Sequence, residues 1–502
     1  MPDTTAIVKA FALVATPEVF IVMLLSSIFG IVFGAIPGLT AVMAVSLILP
    51  VAMFLDPVPA LASIIAVSAM AIFAGDIPGT LIRIPGTPAS GAYTDDSYRL
   101  TQKGMAETVL GANVFFSAVG GLIGLLVLML AAPTLAEISL SFSTYEYFWL
   151  SCFGLTCATF MTSNDPLKGM ASLFLGLFIT TIGYDLITAT PRFTFGSSEL
   201  LGGIHVIPVL IGLFAVSEIM RRVSSTAPPS TAYNGEIKQI YRGIFSLWRR
   251  HIPQFLRGNV TGIIVGALPG AGADIAAWLA YSISKKFSKT PEKFGTGHME
   301  GIIEATSANN AALASAWIPA FVFGIPGDVT TAMVIGILYI KDMKPGPTVF
   351  LDHPEVIYAL FICFAFANIL MLILGYYAIK CFRHILRVPP FVLLPAILLF
   401  CVVGAFAVNN TIFGVWVMLF FGLVGYVMEE NGFPISPMLL AIVLGNLLEK
   451  NFIISMVKSE GRLLDFFNRP IAGTLGVLAI AIWIYPLLKK AGNLIKTKRS
   501  AQ

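Results

Sequence analysis

The stretches Gly34-Ala-Ile-Pro-Gly38 and Gly266-Ala-Leu-Pro-Gly270 share one pattern, and an Ile-Pro-Gly follows each of them, at Ile84-Pro-Gly86 and Ile325-Pro-Gly327. Corresponding stretches lie 232 and 241 residues apart in a chain of 502 residues. Proline removes a backbone donor and glycine permits tight turns, so both interrupt helices. Because these breakers lie inside apolar sequence, they indicate a duplicated protein whose helices are broken at corresponding points. In chain order, residues 34–38, 84–86, 266–270 and 325–327 are called the first, second, third and fourth breaks.

The composition is that of a membrane protein. Apolar residues make up 57% of the chain and charged residues 12%, about half of the roughly 25% typical of soluble domains. A soluble core cannot use so much apolar surface, whereas membrane-spanning helices need about 20 apolar residues each. We therefore predict an all-α integral membrane protein with about 11–12 transmembrane helices, some of them re-entrant or broken, in an inverted structural repeat.

Other features of the composition give little information about partners. The basic residues are confined to a few loops rather than spread over one face, so we expect no nucleic-acid partner. The N-terminus lacks a basic region and a cleavage site, and we expect it to be retained. The five histidines are scattered, and we assign them no role. Five cysteines show no metal-ligand spacing and are interpreted as small buried hydrophobes: Cys152, Cys157, Cys363, Cys381 and Cys401.

The basic residues do predict the topology. Residues 221–257 contain seven Lys or Arg against one acid, Glu236, and the C-terminal residues 489–499 are also basic. By the positive-inside rule both segments are predicted to be cytoplasmic. Residues 221–257, which include Pro228-Pro-Ser230, are interpreted as a cytoplasmic linker between a first repeat, residues 1–220, and a second repeat, residues 258–502.

Corresponding loops differ in charge. Asp56-Pro-Val-Pro59 follows the first broken unit without a basic residue, whereas four lysines follow the third between Lys285 and Lys293. Equivalent positions are therefore predicted to face opposite sides of the membrane, as in an inverted repeat. Residues 258–284 are too short for two spans and are interpreted as a re-entrant hairpin, with residues 30–55 as its twin from the other side. A single kinked helix is the alternative.

The breaks could bind an anion. A helix that resumes after a break presents free backbone N–H groups and the positive end of its dipole, which suits a carboxylate. Hydroxyl and amide oxygens can also join a cation shell. The alternative is that the breaks are ordinary kinks whose Ser and Thr bond the local backbone. The substrate-binding candidates are Gly38, Thr40, Gly86, Thr87, Ser90, Gly270, Asn309, Asn310, Gly327 and Asp328, and the ion-coupling candidates are Asp76, Asp274 and Thr330.

Two candidates have alternative interpretations. Arg83 lies among apolar residues, where an ionisable side chain is a functional candidate, and it could either pair with Asp76 or reach a substrate carboxylate. Asn309 could either cap the apolar helix before the second Ile-Pro-Gly or contribute its amide to the site.

The motifs as a set resemble the large membrane subunit of the bacterial tripartite tricarboxylate transporters, over essentially the whole chain. The resemblance implies a permease of about twelve helices in the bacterial inner membrane. It also implies a small four-helix membrane subunit, a periplasmic solute-binding protein, and carboxylate import on a Na⁺ or H⁺ gradient with no further cofactor. The matching stretches are residues 34–41, 84–90, 266–272, 294–297, 308–311, 324–327 and 344–347.

The chain departs from the family pattern near the breaks. Gly75-Asp76 stands where the family commonly has two glycines, Asp95-Asp-Ser-Tyr-Arg99 replaces Leu-Asp-Gly-Tyr-Pro, and Glu304-Ala-Thr-Ser307 replaces a stretch that contains Ala-Pro-Glu. These differences leave the substrate and the coupling ion open.

Two other functions are considered. Re-entrant hairpins also build channel filters, so an ion or solute channel is the main alternative. Tyr184-Asp185 and Gly270-Ala-Gly-Ala-Asp274 loosely resemble the paired aspartates of intramembrane proteases, but Ala273 stands where that family has its Asp. We therefore do not expect an enzyme.

Overall fold

A computed structural model of the chain describes residues 4–37, 39–161, 165–185, 189–224, 237–385, 390–408 and 410–499. This structure is 79% helical and has almost no strand, which confirms the prediction of an all-α membrane protein. Apolar segments in lipid must satisfy their own backbone N–H and C=O groups, and the helix does so. The first half contains α1 (Thr4–Val14), α2 (Pro17–Ala35), α3 (Ala41–Ala52), α4 (Pro57–Ala74), α5 (Asp76–Ile82), α6 (Thr94–Gln102), α7 (Ala106–Ser139), α8 (Thr144–Met161), α9 (Pro166–Thr180), α10 (Val206–Leu210) and α11 (Ser217–Ser224).

Shorter elements and the helices of the second half complete the fold. A π-helical stretch, Ile211–Val216, joins α10 to α11, and two short antiparallel strands, β1 (Gly183–Tyr184) and β2 (Pro191–Arg192), lie in the loop after α9. Short 3-10 turns occur at Ser90–Ala92, Ser198–Leu200, Pro291–Lys293 and Leu463–Phe467. The remaining helices are α12 (Ile244–Arg250), α13 (Ile252–Gly266), α14 (Gly272–Phe287), α15 (Met299–Ser315), α16 (Trp317–Phe323), α17 (Val329–Ile340), α18 (Val349–Asp352), α19 (Pro354–Ile385), α20 (Pro390–Ala407), α21 (Ile412–Glu430), α22 (Ile435–Lys458) and α23 (Pro470–Arg499).

Six helices within the described residues are long and apolar enough to cross a membrane, and six shorter apolar helices accompany them. Large apolar side chains are exposed on the outer faces, among them Leu130, Leu399 and Trp416. Exposed apolar surface of this extent suits contact with lipid. The chain is therefore a multi-pass membrane protein, while the count of about 11–12 spans stays a prediction.

The two halves repeat one order of elements. α2 and α3 flank the first break as α13 and α14 flank the third, and the kinked pair α4–α5 precedes the second break as α15–α16 precedes the fourth. A long helix follows in each half: α7 has 34 residues and α19 has 32. The kinks themselves correspond, because Gly75 and Ala316 lie 241 residues apart.

Glycines hold α2 close against α4. A Cβ atom on Gly30 would lie 2.6 Å from the carbonyl oxygen of Val67, and one on Gly34 would lie 2.2 Å from that of Ala71. Any side chain at these positions would overlap the carbonyl oxygens of α4, so the close crossing depends on glycine. Gly-x-x-x-Gly spacing is typical of close helix crossings in membranes, where packing rather than hydrophobicity drives association.

The same crossing is built again between α13 and α15. A Cβ atom on Gly262 would lie 2.3 Å from the carbonyl oxygen of Ala308, and one on Gly266 would lie 2.4 Å from that of Ala312. These four residues stand at the positions that the offsets of 232 and 241 residues assign to the first-half set. The structure therefore supports a duplication at the level of individual contacts, whereas its inversion across the membrane stays a prediction.

The core helices of one half also pack against the other half. A Cβ atom on Gly120 of α7 would lie 2.5 Å from the carbonyl oxygen of Ser307 on α15, and Gly124 has the same relation to Ala311. In return, α4 packs against α19. The two repeats thus share one core and enclose each other's central helices.

Residues 252–287 fold as a hairpin. α13 and α14 have 15 and 16 residues, each fewer than the roughly 20 that a span requires. A turn over residues 267–271 separates them, and they pack against each other and against α15. The alternative of one kinked helix is therefore wrong for this segment. The side from which the hairpin enters the membrane stays a prediction.

The predicted linker, residues 221–257, is partly helical. It includes the end of α11, all of α12 and the first turn of α13, which begins at Ile252. Pro228-Pro-Ser230 lies outside the described residues.

The inverted topology predicts the side from which loops can be labelled. Asp56 and Lys289 are exposed in the loops after α3 and α14. With the native cysteines removed, Asp56→Cys should react with an impermeant maleimide only from the periplasm, and Lys289→Cys only from the cytoplasm. Labelling of both from one side would contradict the inverted arrangement.

The glycine crossings predict where a small increase in size destabilises the protein. Gly266→Val should lower the free energy of unfolding by about 1–3 kcal/mol, since overpacking forces α13 away from α15. Gly202→Val is the control, because no atom lies within 4 Å of a Cβ at that position. Thermal unfolding of the detergent-solubilised variants measures the difference, and equal midpoints would contradict the contact.

Candidate functional site

The two breaks of the first half meet at Gly86. Its N–H donates to the carbonyl oxygen of Gly75 at 3.0 Å. A Cβ atom at this position would lie 2.5 Å from the carbonyl oxygen of Gly34 and 2.6 Å from Cα of Gly75. Gly86 therefore positions the backbone of the broken segment, and no side chain fits in its place.

The two breaks of the second half meet in the corresponding way. The N–H of Gly270, a residue with φ of +82°, donates to the carbonyl oxygen of Gly327 at 2.8 Å. A Cβ atom on Gly327 would lie 2.5 Å from the carbonyl oxygen of Ala316, the counterpart of Gly75. Backbone contact thus joins the broken segments in both halves.

A cavity of about 340 Å³ lies where segments from the two halves come together. Its lining includes the first turns of α3, α14 and α17, so three helix N-termini open toward one space. N-terminal N–H groups and the positive helix dipole favour an anion there. The predicted site residues that line the cavity are Thr40, Thr87, Gly270, Asp274, Asp328 and Thr330.

The two aspartates in the cavity wall already accept hydrogen bonds. Asp328 caps α17 and accepts from the N–H of Thr331 at 2.8 Å. Asp274 Oδ1 accepts from the N–H of Ala89 at 3.0 Å, which joins α14 to the second break of the first half. Their carboxylates therefore stabilise the shape of the wall across both halves.

A charged cluster on α11 and α21 forms another part of the wall, and the sequence analysis missed it as a site. Glu218, Arg221 and Glu429 line the cavity. Arg221 pairs with Glu218 and lies 3.4 Å from Glu429, while Arg222 Nη2 donates to the carbonyl oxygen of Pro37 at 2.5 Å. In the sequence both arginines serve only to predict topology, and no local pattern indicates that Arg222 contacts the first break or that Arg221 lines the cavity.

Some predicted residues lie outside the cavity wall. Ser90 Oγ is buried and donates to the carbonyl oxygen of Thr87 at 2.8 Å, so it shapes the segment behind the wall. Gly86 and Gly327 act through their backbone contacts, and Gly38 lies outside the described residues. Asp76 is buried behind the wall.

The asparagine pair lies inside a helix. Asn309 and Asn310 occupy the middle of α15, so the interpretation of Asn309 as a helix cap is wrong. Both side chains are buried, and neither lines the cavity. Asn310 Nδ2 donates to Met371 Sδ at 3.9 Å, and Oδ1 of both residues has no hydrogen-bond partner among the described residues.

Arg83 does not reach the site. It ends α5 in the left-handed region, with φ of +61°, and its exposed guanidinium lies 2.7 Å from Asp95. The alternative that it pairs with Asp76 is therefore wrong. Asp76 Oδ1 instead accepts from the Tyr93 hydroxyl at 2.5 Å.

Comparison with protein families identifies the chain. Residues 20–440 match the model of the tripartite tricarboxylate transporter TctA family. The chain belongs to this family. It is therefore the large membrane subunit, a transmembrane permease, of a tripartite tricarboxylate transporter. This is a family of transporters rather than of enzymes.

Two relatives come from Agrobacterium vitis. One, described as an uncharacterized 52.8 kDa protein in the TAR-I ttuC' 3' region, is 30% identical over 97% of this chain and 96% of its own length. The other, described as an uncharacterized protein in the TAR-II ttuC' 3' region, is 34% identical over 47% of this chain and 97% of its own length. No solved structure matches the fold.

The protease alternative gains no support from the two aspartates on which it rests. Asp185 Oδ2 lies 3.2 Å from Arg192 Nη1 in the loop after α9, whereas Asp274 accepts from the Ala89 N–H at the cavity. The two carboxylates thus have separate partners and separate structural roles.

The contact between breaks predicts that Gly327→Ala abolishes transport. The added methyl must push residue 327 away from Ala316, which shifts Asp328 and the start of α17. A displacement that costs only about 1.4 kcal/mol of binding free energy already lowers uptake tenfold. Gly336→Ala, inside α17, is the control, because the nearest atom to its added Cβ would be 3.8 Å away. Uptake by membrane vesicles measures both, and normal uptake by Gly327→Ala would restrict this turn to packing.

Proposed function

We propose that this chain imports an organic carboxylate anion across the bacterial inner membrane, with its C-terminus in the cytoplasm, on a Na⁺ or H⁺ gradient and without ATP. A periplasmic solute-binding protein supplies the substrate, and a small four-helix membrane subunit completes the complex. The observation that carries the proposal is the convergence of three helix N-termini on one cavity.

Helix N-termini suit this substrate. A carboxylate can accept hydrogen bonds from those N–H groups in the first turns of α3, α14 and α17 that the caps Thr40 and Asp328 do not take, and Thr330 and Thr87 add hydroxyl donors at the wall. Arg221 on α11 adds a positive charge at the wall, although its guanidinium also pairs with Glu218 and lies near Glu429. The volume of about 340 Å³ lies at the small end of the roughly 300–1,000 Å³ typical of ligand sites.

The repeat supports alternating access. Broken helices in corresponding positions of two repeats are the usual location of substrate and ion sites in secondary transporters. Here the cavity draws its wall from the breaks of both halves, and the Asp274 to Ala89 bond crosses between them. Movement of one repeat relative to the other would therefore change the cavity directly.

Uptake into proteoliposomes tests the proposal. The purified permease, with its cognate small subunit and binding protein, is supplied with labelled acetate, succinate and citrate under imposed Na⁺ or H⁺ gradients. We expect saturable accumulation of at least one carboxylate above its equilibrium level. Passive, non-saturable flux would favour the channel, and no flux of any carboxylate would contradict the proposal.

A threonine at the wall offers a quantitative test. Thr330→Val keeps the shape of the side chain but removes its hydroxyl from the first turn of α17. A hydrogen bond to a charged group is worth about 1.5–3 kcal/mol, so KM should rise roughly 10–100-fold. Thr134→Val is the control, because that exposed hydroxyl donates only to the Leu130 carbonyl on α7. An unchanged KM in Thr330→Val would remove this residue from the site.

A further inference from the structure

Asp76 is an acid buried in the interior of the helix bundle. It begins α5 at the kink after α4, within a membrane span, and is 2% exposed. Oδ1 accepts from the Tyr93 hydroxyl at 2.5 Å. Oδ2 is buried and has no hydrogen-bond partner among the described residues. A carboxyl group is thus held at one oxygen and left unsatisfied at the other.

The described residues around Asp76 provide no cation for its carboxyl group. α5 packs against α2, α4, α6, α7 and the Ser90–Ala92 turn, and α4 and that turn contain no charged residue. The titratable group that faces Asp76 is Tyr93. Tyr93 in turn interacts electrostatically with Asp274. The other charged side chains on or beside these elements have different partners or lie farther away. Arg83 pairs with Asp95, Asp96 accepts from Tyr281, and Glu107 accepts from the Lys238 N–H. Arg99 is exposed, and Glu18 and Glu137 lie at the far ends of α2 and α7.

A charged carboxylate without a counter-ion is unfavourable in the membrane interior, whereas a neutral acid needs only hydrogen-bond partners. We propose that Asp76 is the proton-binding site of this transporter. Oδ2 takes one proton from the cavity side and gives the same proton up on the other side, while the Tyr93 hydroxyl keeps its own proton and holds Oδ1. The role of this step in coupling rests on the proposed function.

The position of Asp76 connects its charge to the cavity. Its neighbour Gly75 accepts from the Gly86 N–H, and a Cβ atom on Gly75 would lie 2.5 Å from the side chain of Thr87, which lines the cavity. Tyr93 follows the same broken segment. Asp76 and Tyr93 therefore join the two ends of the segment that forms this part of the wall.

Proton release should consequently favour another arrangement of the segment. The charged form has only the Tyr93 hydroxyl to stabilise it, so an arrangement that hydrates or pairs Asp76 is preferred once the proton has left. The protonated form suits the packed arrangement described above. A difference of this kind between two states is what couples an ion to the movement of a transporter.

Infrared spectroscopy of the purified full-length permease in detergent tests protonation without a substrate. At neutral pH the wild type should show the carbonyl-stretch band of a protonated carboxylic acid that is missing in Asp76→Asn. Tyr93→Phe should keep this band but shift it, since it removes the hydrogen bond to Oδ1. A wild-type spectrum without an Asp76-dependent band, or with a band unaffected in Tyr93→Phe, would overturn the proposal.

Proteoliposomes test the coupling. For the carboxylate among acetate, succinate and citrate that the wild type transports, an inward H⁺ gradient without Na⁺ should drive accumulation. Asp76→Asn should show counterflow exchange but no accumulation above equilibrium. Accumulation that needs Na⁺ and ignores the H⁺ gradient, or H⁺-driven accumulation by Asp76→Asn, would overturn proton coupling while leaving carboxylate transport intact. Absence of all wild-type flux would instead contradict the proposed function.

Discussion

In each half of the protein, backbone meets backbone where two helices are broken, and the cavity depends on that contact. The Gly270 N–H donates to the Gly327 carbonyl oxygen, and Gly86 lies against Gly34 and Gly75. Side chains are excluded from these points, so the positions of the broken segments are set by main-chain geometry. Helices that resume there begin at fixed places, and their first turns form the wall of one cavity.

Electrostatics then shapes the site. Among the described residues that line the cavity, Arg221 is the one cation, and anions are favoured there mainly by helix N-termini. The carboxylates of Asp328 and Asp274 carry charge that opposes this effect, but each also accepts from a backbone N–H and so stabilises the wall. The partly exposed Arg257 donates to the buried carboxylate of Glu304 at 2.7 and 2.6 Å, which ties α13 to α15 in the second-half hairpin. Charges in the core therefore serve mostly to position backbone.

The sequence analysis succeeded where periodicity and breakers carry the information. Composition indicated the membrane, and the matched Pro-Gly stretches located all four breaks and the duplication. It failed for single side chains. Arg83 turns out to Asp95 instead of in to Asp76, because α5 ends in a left-handed residue that no pattern announces. Asn309 is inside α15 rather than at its start, since this helix continues through polar residues that are buried by its neighbours.

The sequence by itself determined that this protein is a duplicated helical membrane protein with breaks at corresponding points, because hydrophobic length and helix breakers act locally along the chain. Only the tertiary structure decided which residues meet at those breaks. The cavity wall includes Glu218, Arg221 and Glu429, whose sequence pattern is that of ordinary helix ends at the membrane surface. The Tyr93 hydroxyl bonds Asp76 across a broken segment. Such contacts depend on how helices cross, and the crossings are set by glycine contacts between distant parts of the chain.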